Sequence, residues 1–336
     1  MYRIPVLLIN NAKGANILPK LAGRWVSVKT TENDGKDSDT AEITCIGPAS
    51  RMPLPKKGDE YEIYMGWADE GPVLQGKYKV QKVGLRGSPD EGETIVISLR
   101  SADFVDKLKA HGRESYQKGT FGDLMKKVAS KAGLEAVIDP DLAREELDHE
   151  IRYDQSLIDF ASQVGERFGA VVKPAGGKLI ASKRGDGKSA GGKDLTPIIL
   201  KKNRSFGYDI ETDTRSQAGS IAASYLDPKT GKRKLVKEKT GRDGPIFTLP
   251  HPYPNEKEAK KAAKTQAYEV GNQTGSGHFE SAGLPQARAG APVIASGFGE
   301  GVDGTWKAKS LEKTITSKGG FTTTINVEAG KDEKKV

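Results

Sequence analysis

One cysteine, four histidines and the absence of any long apolar run set the first limits on this 336-residue chain. A single thiol, Cys45, excludes an internal disulfide and a cysteine-based structural zinc site, and its place in an alternating apolar stretch suits a small buried side chain. His111, His149, His251 and His278 are scattered, with no pair at metal-binding helical spacing. No stretch approaches the roughly 20 apolar residues of a membrane helix. The opening Ile4-Pro5-Val6-Leu7-Leu8-Ile9 is too short for the apolar part of a signal peptide, and the lone cysteine makes folding in a reducing cytoplasm the expectation. Aromatic residues reach only 7%, which still leaves enough bulk for packed cores.

Glycine, by contrast, is abundant at 40 residues, only 35% of positions are apolar, and short alternating stretches outnumber helical patterns. A β-rich chain of more than one domain follows. The net charge of +8 is largely local: between Leu226 and Lys264 there are 11 Lys or Arg against 5 Asp or Glu. The run Lys229, Lys232, Arg233, Lys234, Lys237, Lys239, Arg242 has no interleaved aromatic for base stacking. It reads as a solvated hairpin or a partner-facing surface, with polyanion contact as the lesser alternative.

Residues 1–105 alternate with period two, as in Ala41, Ile43 and Cys45, then Tyr61, Ile63 and Met65, then Ile95, Ile97 and Leu99, and predict a first antiparallel β-barrel-like domain. In residues 106–184 the period changes. Thr120 with Asp123 caps a helix bearing Phe121, Leu124, Met125, Val128, Ala129 and Ala132 on one face before Gly133, and Ser156 with Asp159 repeats the device ahead of Leu157, Phe160, Ala161, Val164 and Phe168. A strand pair, 170–173 and 178–181, completes a small α+β domain. Residues 185–194, rich in glycine, predict a flexible linker. Residues 195–330 predict a second β-barrel-like domain with one inserted helix near 256–270 ending at Gly271, then a charged tail over 331–336.

No constellation for catalysis stands out. Gly299-Glu300-Gly301-Val302-Asp303-Gly304 matches the dinucleotide fingerprint, but a strand pattern with Trp306 follows where a helix is needed, so Gly299, Gly301 and Gly304 read as a structural turn beside Trp306. Gly319 and Gly320 read as a hairpin turn. Asp139, Asp141, Glu145, Glu146 and Asp148 fit a solvated face better than a carboxylate pair for hydrolysis. No catalytic, cofactor-binding or metal-binding residue is assigned, and the chain is expected not to be an enzyme.

Ser156-Leu157-Ile158-Asp159-Phe160 through Glu166-Arg167-Phe168-Gly169 to Pro174-Ala175-Gly176-Gly177-Lys178-Leu179 resembles the middle region of the phage late-control D family. Gly304-Thr305-Trp306 with Gly319-Gly320-Phe321-Thr322-Thr323 resembles its C-terminal signature, and Asp39–Thr44, Gly58-Asp59 and Gly76–Val80 are similar to its opening block. The resemblance implies a baseplate hub of a contractile phage tail or tailocin. It further implies a homotrimeric ring whose two β domains per subunit adapt a six-fold tail tube to a three-fold spike. Implied partners are the central spike protein, the tail tube or a tube-initiator protein, and the tape measure and baseplate wedge proteins, with no membrane and no sequence-specific nucleic acid. Two other readings stay open: a cell-wall-binding or wall-cleaving module in 106–184, and a nucleic-acid-binding regulator.

Overall fold

A computed structural model of the chain describes residues 3–329 apart from 22, 36, 52, 90–91, 102–105, 176, 184–186, 188–192, 205–206, 213–217, 228–229, 242–243 and 273–274. Period-two alternation yields six strands first: β1 (Pro5–Asn11), β2 (Trp25–Asn33), β3 (Thr40–Ile46), β4 (Glu60–Trp67), β5 (Gly71–Ser88) and β6 (Gly92–Ser101). They are antiparallel neighbours in the order β1-β4-β5-β6-β3-β2. One face buries Ile9, Val28, Ile43, Cys45, Ile63, Met65, Val80 and Ile95. Burial pushes the Cys45 thiol up to about 11, which leaves it an inert core side chain.

The middle unit comprises α1 (Asp106–Lys109), β7 (His111–Tyr116), β8 (Gly119–Thr120), α2 (Phe121–Ala132), β9 (Glu135–Ile138), α3 (Pro140–Ala143), β10 (Glu146–Leu147), β11 (Glu150–Ser156), α4 (Leu157–Arg167), β12 (Ala170–Ala175) and β13 (Lys178–Lys183). Both expected caps form: the Asp123 amide donates to Thr120 Oγ1 and the Asp159 amide to Ser156 Oγ, each at 3.1 Å. Gly133 ends α2 at φ 75°, a left-handed conformation that glycine adopts without a Cβ penalty. α4 stops one residue earlier than its apolar pattern, with Phe168 as its C-terminal cap. Phe168 still packs into this core, 5.6 Å from Phe121.

The last third contains β14 (Ile198–Lys201), β15 (Tyr208–Thr212), β16 (Ser220–Leu226), β17 (Arg233–Lys239), β18 (Ile246–Thr248), α5 (Glu256–Asn272), β19 (Gly275–Ala282), β20 (Pro292–Ser296), β21 (Gly304–Thr316) and β22 (Phe321–Ala329). The sequence suggested a lone inserted helix, but the insertion is larger. β16, β17 and β18 form their own three-stranded sheet, and Ala259, Ala263 and Ala267 of α5 pack on its Ile221, Ala223 and Tyr225. The helix also runs on through Gly271 to Asn272. The linker assigned to 185–194 and the tail at 331–336 lie mostly or wholly outside the described residues.

The six remaining strands take the order β14-β20-β21-β22-β19-β15. Strand by strand in chain order, this is the order of the first block. The inner positions match too: Tyr78, Val80, Ile97 and Leu99 hold the places of Trp306, Ala308, Ile325 and Val327, all buried. The blocks differ in their first strands, since β1 runs antiparallel to β4 whereas β14 runs parallel to β20.

Neither block closes on itself among the described residues, so the expected barrels are open sheets. β2 instead pairs with β21, and the two blocks become one twelve-stranded sheet. Phe321 and Ile315 therefore belong to the first core. The Phe321 ring lies 5.2 Å from Trp67, and Trp67 Nε1 donates to the Gly283 carbonyl at 2.9 Å. A Cβ on Gly283 would stand 2.1 Å from the Phe321 ring. Gly283→Ala is accordingly expected to lower stability by about 1–3 kcal/mol through overpacking, read as a fall in chemical-denaturation midpoint.

Candidate assembly interface

Ser27–Asn33 faces Ser310–Thr316 in antiparallel register, with Thr30 opposite Lys313. Leu311, Lys313 and Ile315 alternate toward the interior, so the pattern places a lysine where an apolar side chain is expected. Lys313 is 1% exposed. Its ammonium donates to Gln75 Oε1 at 2.7 Å, to the Ala287 carbonyl at 2.8 Å and to the Pro285 carbonyl at 3.2 Å. Arg288 closes the same cluster, donating to the Leu74 carbonyl at 3.1 Å and approaching Glu32 at 3.5 Å. Three acceptors satisfy the three donors of the buried cation, the condition under which such a group is tolerated. Loss of hydration still lowers the Lys313 pKa to about 7, with Glu32 opposing the shift, and desolvation raises the Glu32 carboxyl.

None of the seam's polar residues was singled out by sequence reasoning. The one available signal was Lys313 at an inward position between Leu311 and Ile315.

The glycine-rich segment is a loop leading into β21. Gly299, Gly301 and Gly304 have φ of 116°, 84° and 143°, which favour glycine. The Val302 and Asp303 amides donate to the Gly299 carbonyl, the Phe298 amide donates to Asp303 Oδ1 at 2.7 Å, and Trp306 Nε1 donates to the Val302 carbonyl at 2.8 Å. A strand, not a helix, leaves this loop. Gly319, at φ 92°, and Gly320 turn β21 into β22, and the Thr316 amide donates to the Gly320 carbonyl.

Of the basic run, Arg233, Lys234, Lys237 and Lys239 lie on β17 and Lys232 just before it; Lys229 and Arg242 fall outside the described residues. Lys234 pairs with Asp227 at 2.6 Å. Arg233, Leu235, Lys237 and Lys239 share one exposed face, and charges along an edge strand discourage unplanned pairing.

The structure does not bring the histidines together. His111 Nδ1 lies 3.1 Å from the Asp154 carbonyl and His149 Nε2 3.2 Å from Ser115 Oγ. Among the described residues no group of three or more His, Cys, Asp or Glu is placed to hold a metal ion. An open cavity of about 340 Å³ in the middle unit is lined by both signs of charge, including Lys118, Lys126, Lys127, Asp123, Asp148 and Glu150. Of the acidic loop, Asp139 caps α3 and Glu145 pairs with Lys261 on α5.

No family model matches the chain. It is homologous to the probable baseplate hub proteins of Escherichia phages P2 and 186. Identity to the P2 protein is 29% over 252 residues, 74% of this chain, and to the phage 186 protein 26% over 254 residues, 75% of this chain. The matched region spans 64% of the length of each relative. The fold is that of a tail protein from Neisseria meningitidis MC58, at a TM-score of 0.69 and 13% identity, covering 98% of this chain and 97% of the other.

The seam yields a prediction. Lys313→Met removes a donor from all three acceptors; the Pro285 carbonyl keeps Gln75 Nε2 at 3.2 Å and Gln75 Oε1 keeps Arg288 at 3.5 Å, the Ala287 carbonyl loses its lysine partner, and a loss of about 1–3 kcal/mol at pH 7 is expected. Because the folded pKa is depressed, the charged lysine penalises folding fully below about pH 7. That penalty is relieved as pH rises from about 7 toward the ordinary lysine value of 10.5. Urea titrations should therefore show the native protein gaining on the Met variant across that window, with no such gain below it.

Proposed function

We propose that the chain is a structural hub subunit in the baseplate of a contractile phage tail or phage-tail-like particle, acting as a homotrimer and not as an enzyme. The homology to two phage baseplate hub proteins carries this reading. Duplication of a six-stranded unit within one continuous sheet supports it physically. Three copies with two such units each supply six similar positions, which fit a six-fold tube on one side, while the three-fold arrangement of whole chains fits a spike on the other. Residues 1–105 and 195–330 are the two tube units, 185–194 joins the middle unit to the second, and 106–184 stands on the outside. The tail tube or its initiator and the central spike are the principal partners; the tape measure and wedge proteins would approach the periphery. The Lys-bearing face of β17 is the surface we assign to a partner. The loop at Gly299, Gly301 and Gly304 serves as a turn that seats Trp306.

A cryo-electron-microscopy map of the assembled particle tests the proposal. Three copies of this chain around the tail axis are expected; a single copy per tail, or a ring of six, would refute the symmetry-adapting role.

A further inference from the structure

The internal duplication makes β5 the counterpart of β21. In β21 the proximal half pairs with β20 as far as Lys307, and on the same side Ser310–Thr316 pairs with β2. β5 is its counterpart, and its proximal half pairs with β4 as far as Lys79. Among the described residues no strand lies on that side of β5 from Lys82 to Ser88. The bulges set the alignment. Gln81 interrupts β5–β6 between Val80↔Leu99 and Lys82↔Ser98; Lys309 interrupts β21–β22 between Ala308↔Val327 and Ser310↔Asn326. Counted from the bulges, Gly87↔Glu93 and Ile315↔Phe321 fall at the same step. Lys82–Ser88 therefore corresponds to Ser310–Thr316, and Leu85 to Lys313.

Burial differs as the pairing does. Lys313 is 1% exposed and Leu85 is 57% exposed, although the two hold the same position in the duplicated unit. Leu311 and Ile315 are buried, while their counterparts Val83 and Gly87 are not.

The missing neighbour has a counterpart as well. β15 stands in the second block where β2 stands in the first. Glu211 pairs with Ser276, itself opposite Glu328, as Thr31 pairs with Thr40, itself opposite Arg100. Among the described residues β15 ends the sheet, bonded to β19 alone. Carrying the β2–β21 register over sets Asp209 against Arg86, Ile210 against Leu85, Glu211 against Gly84 and Thr212 against Val83. Ile210 then covers the exposed leucine on one face. On the other, Asp209 directly opposes Arg86, and Glu211 lies diagonal to both Arg86 and Lys82, contacts that stabilise cross-strand pairs.

We infer that β15 of one copy adds as an antiparallel strand to Lys82–Ser88 of β5 in the next copy, reproducing between chains the seam that β2 and β21 make within one. The contact is head to tail, so it generates either a closed ring or an open filament, and alternating intrachain and interchain seams of one geometry favour closure. The inference rests on the ring reading above and names its joint.

Opposed antiparallel residues lie about 4.5–5.5 Å apart at Cα, within disulfide reach. The purified chain and the assembled tail should both be tested with Leu85→Cys plus Ile210→Cys under oxidation. Covalent oligomers on denaturing gels are expected from the double variant and none from either single variant, while Cys45 stays buried. Arg86→Asp and Asp209→Arg should each weaken self-association about tenfold, and together restore it. Melting curves of these surface variants check that the monomer fold is intact. An oligomer of the expected mass that neither cross-links nor responds to the charge swap overturns the joint and leaves the ring standing. A chain that is monomeric at every concentration and present once per tail overturns both.

Discussion

The hydrogen-bonded ladder between Ser27–Asn33 and Ser310–Thr316 is the constraint on which the rest of the molecule depends. Without it there would be two six-stranded units, each with an unsatisfied edge in the middle of the chain. With it, the sheet is continuous and the cores interlock: Ile315 and Phe321 are second-block residues buried in the first core, and the Trp67 indole bonds to a second-block carbonyl. The angle between the blocks is thus held by backbone pairing and by side chains that cross the seam.

A lysine at the centre of that seam is costly to bury and is held only because Gln75 and two carbonyls meet it. The acceptors come from β5 and from the segment before β20, so the cation ties β5 of the first block to a loop of the second. This network is directional where the surrounding Ile, Leu and Val contacts are not. A slip of one residue along β2 would turn every inward side chain outward and break the Lys313 cluster as well.

The remaining units hang on this frame by fewer and more polar contacts. Lys173 of β12 donates to the Asn33 carbonyl at 2.8 Å and approaches Asp39 at 3.8 Å, tying the α+β unit to the β2–β3 turn. Lys261 of α5 pairs with Glu145 and lies 4.6 Å from the centre of the Phe168 ring, joining the helix of the insertion to the α+β unit. Such pairs position surfaces without demanding large apolar burial. They suit peripheral modules placed around a stiff sheet.

Sequence by itself determined what depends on near neighbours along the chain. Alternation placed β3, β4 and β6, the capping residues Thr120 and Ser156 placed α2 and α4, and the glycines before Trp306 marked a loop followed by a strand, because each signal acts over a few residues. The resemblance carried by 156–179 and 304–323 pointed to phage tail hubs, in agreement with the relatives found. Tertiary structure decided the rest: that the two β blocks share one sheet, that β16–β18 and α5 form a body of their own, and that Lys313 is buried while Leu85, its counterpart, is exposed. Thr30 and Lys313 meet across almost the whole length of the chain. Period two tells which side chains share a face but not which strand lies alongside, because edge donors and acceptors are the same in every strand and are matched only when the sheet is assembled.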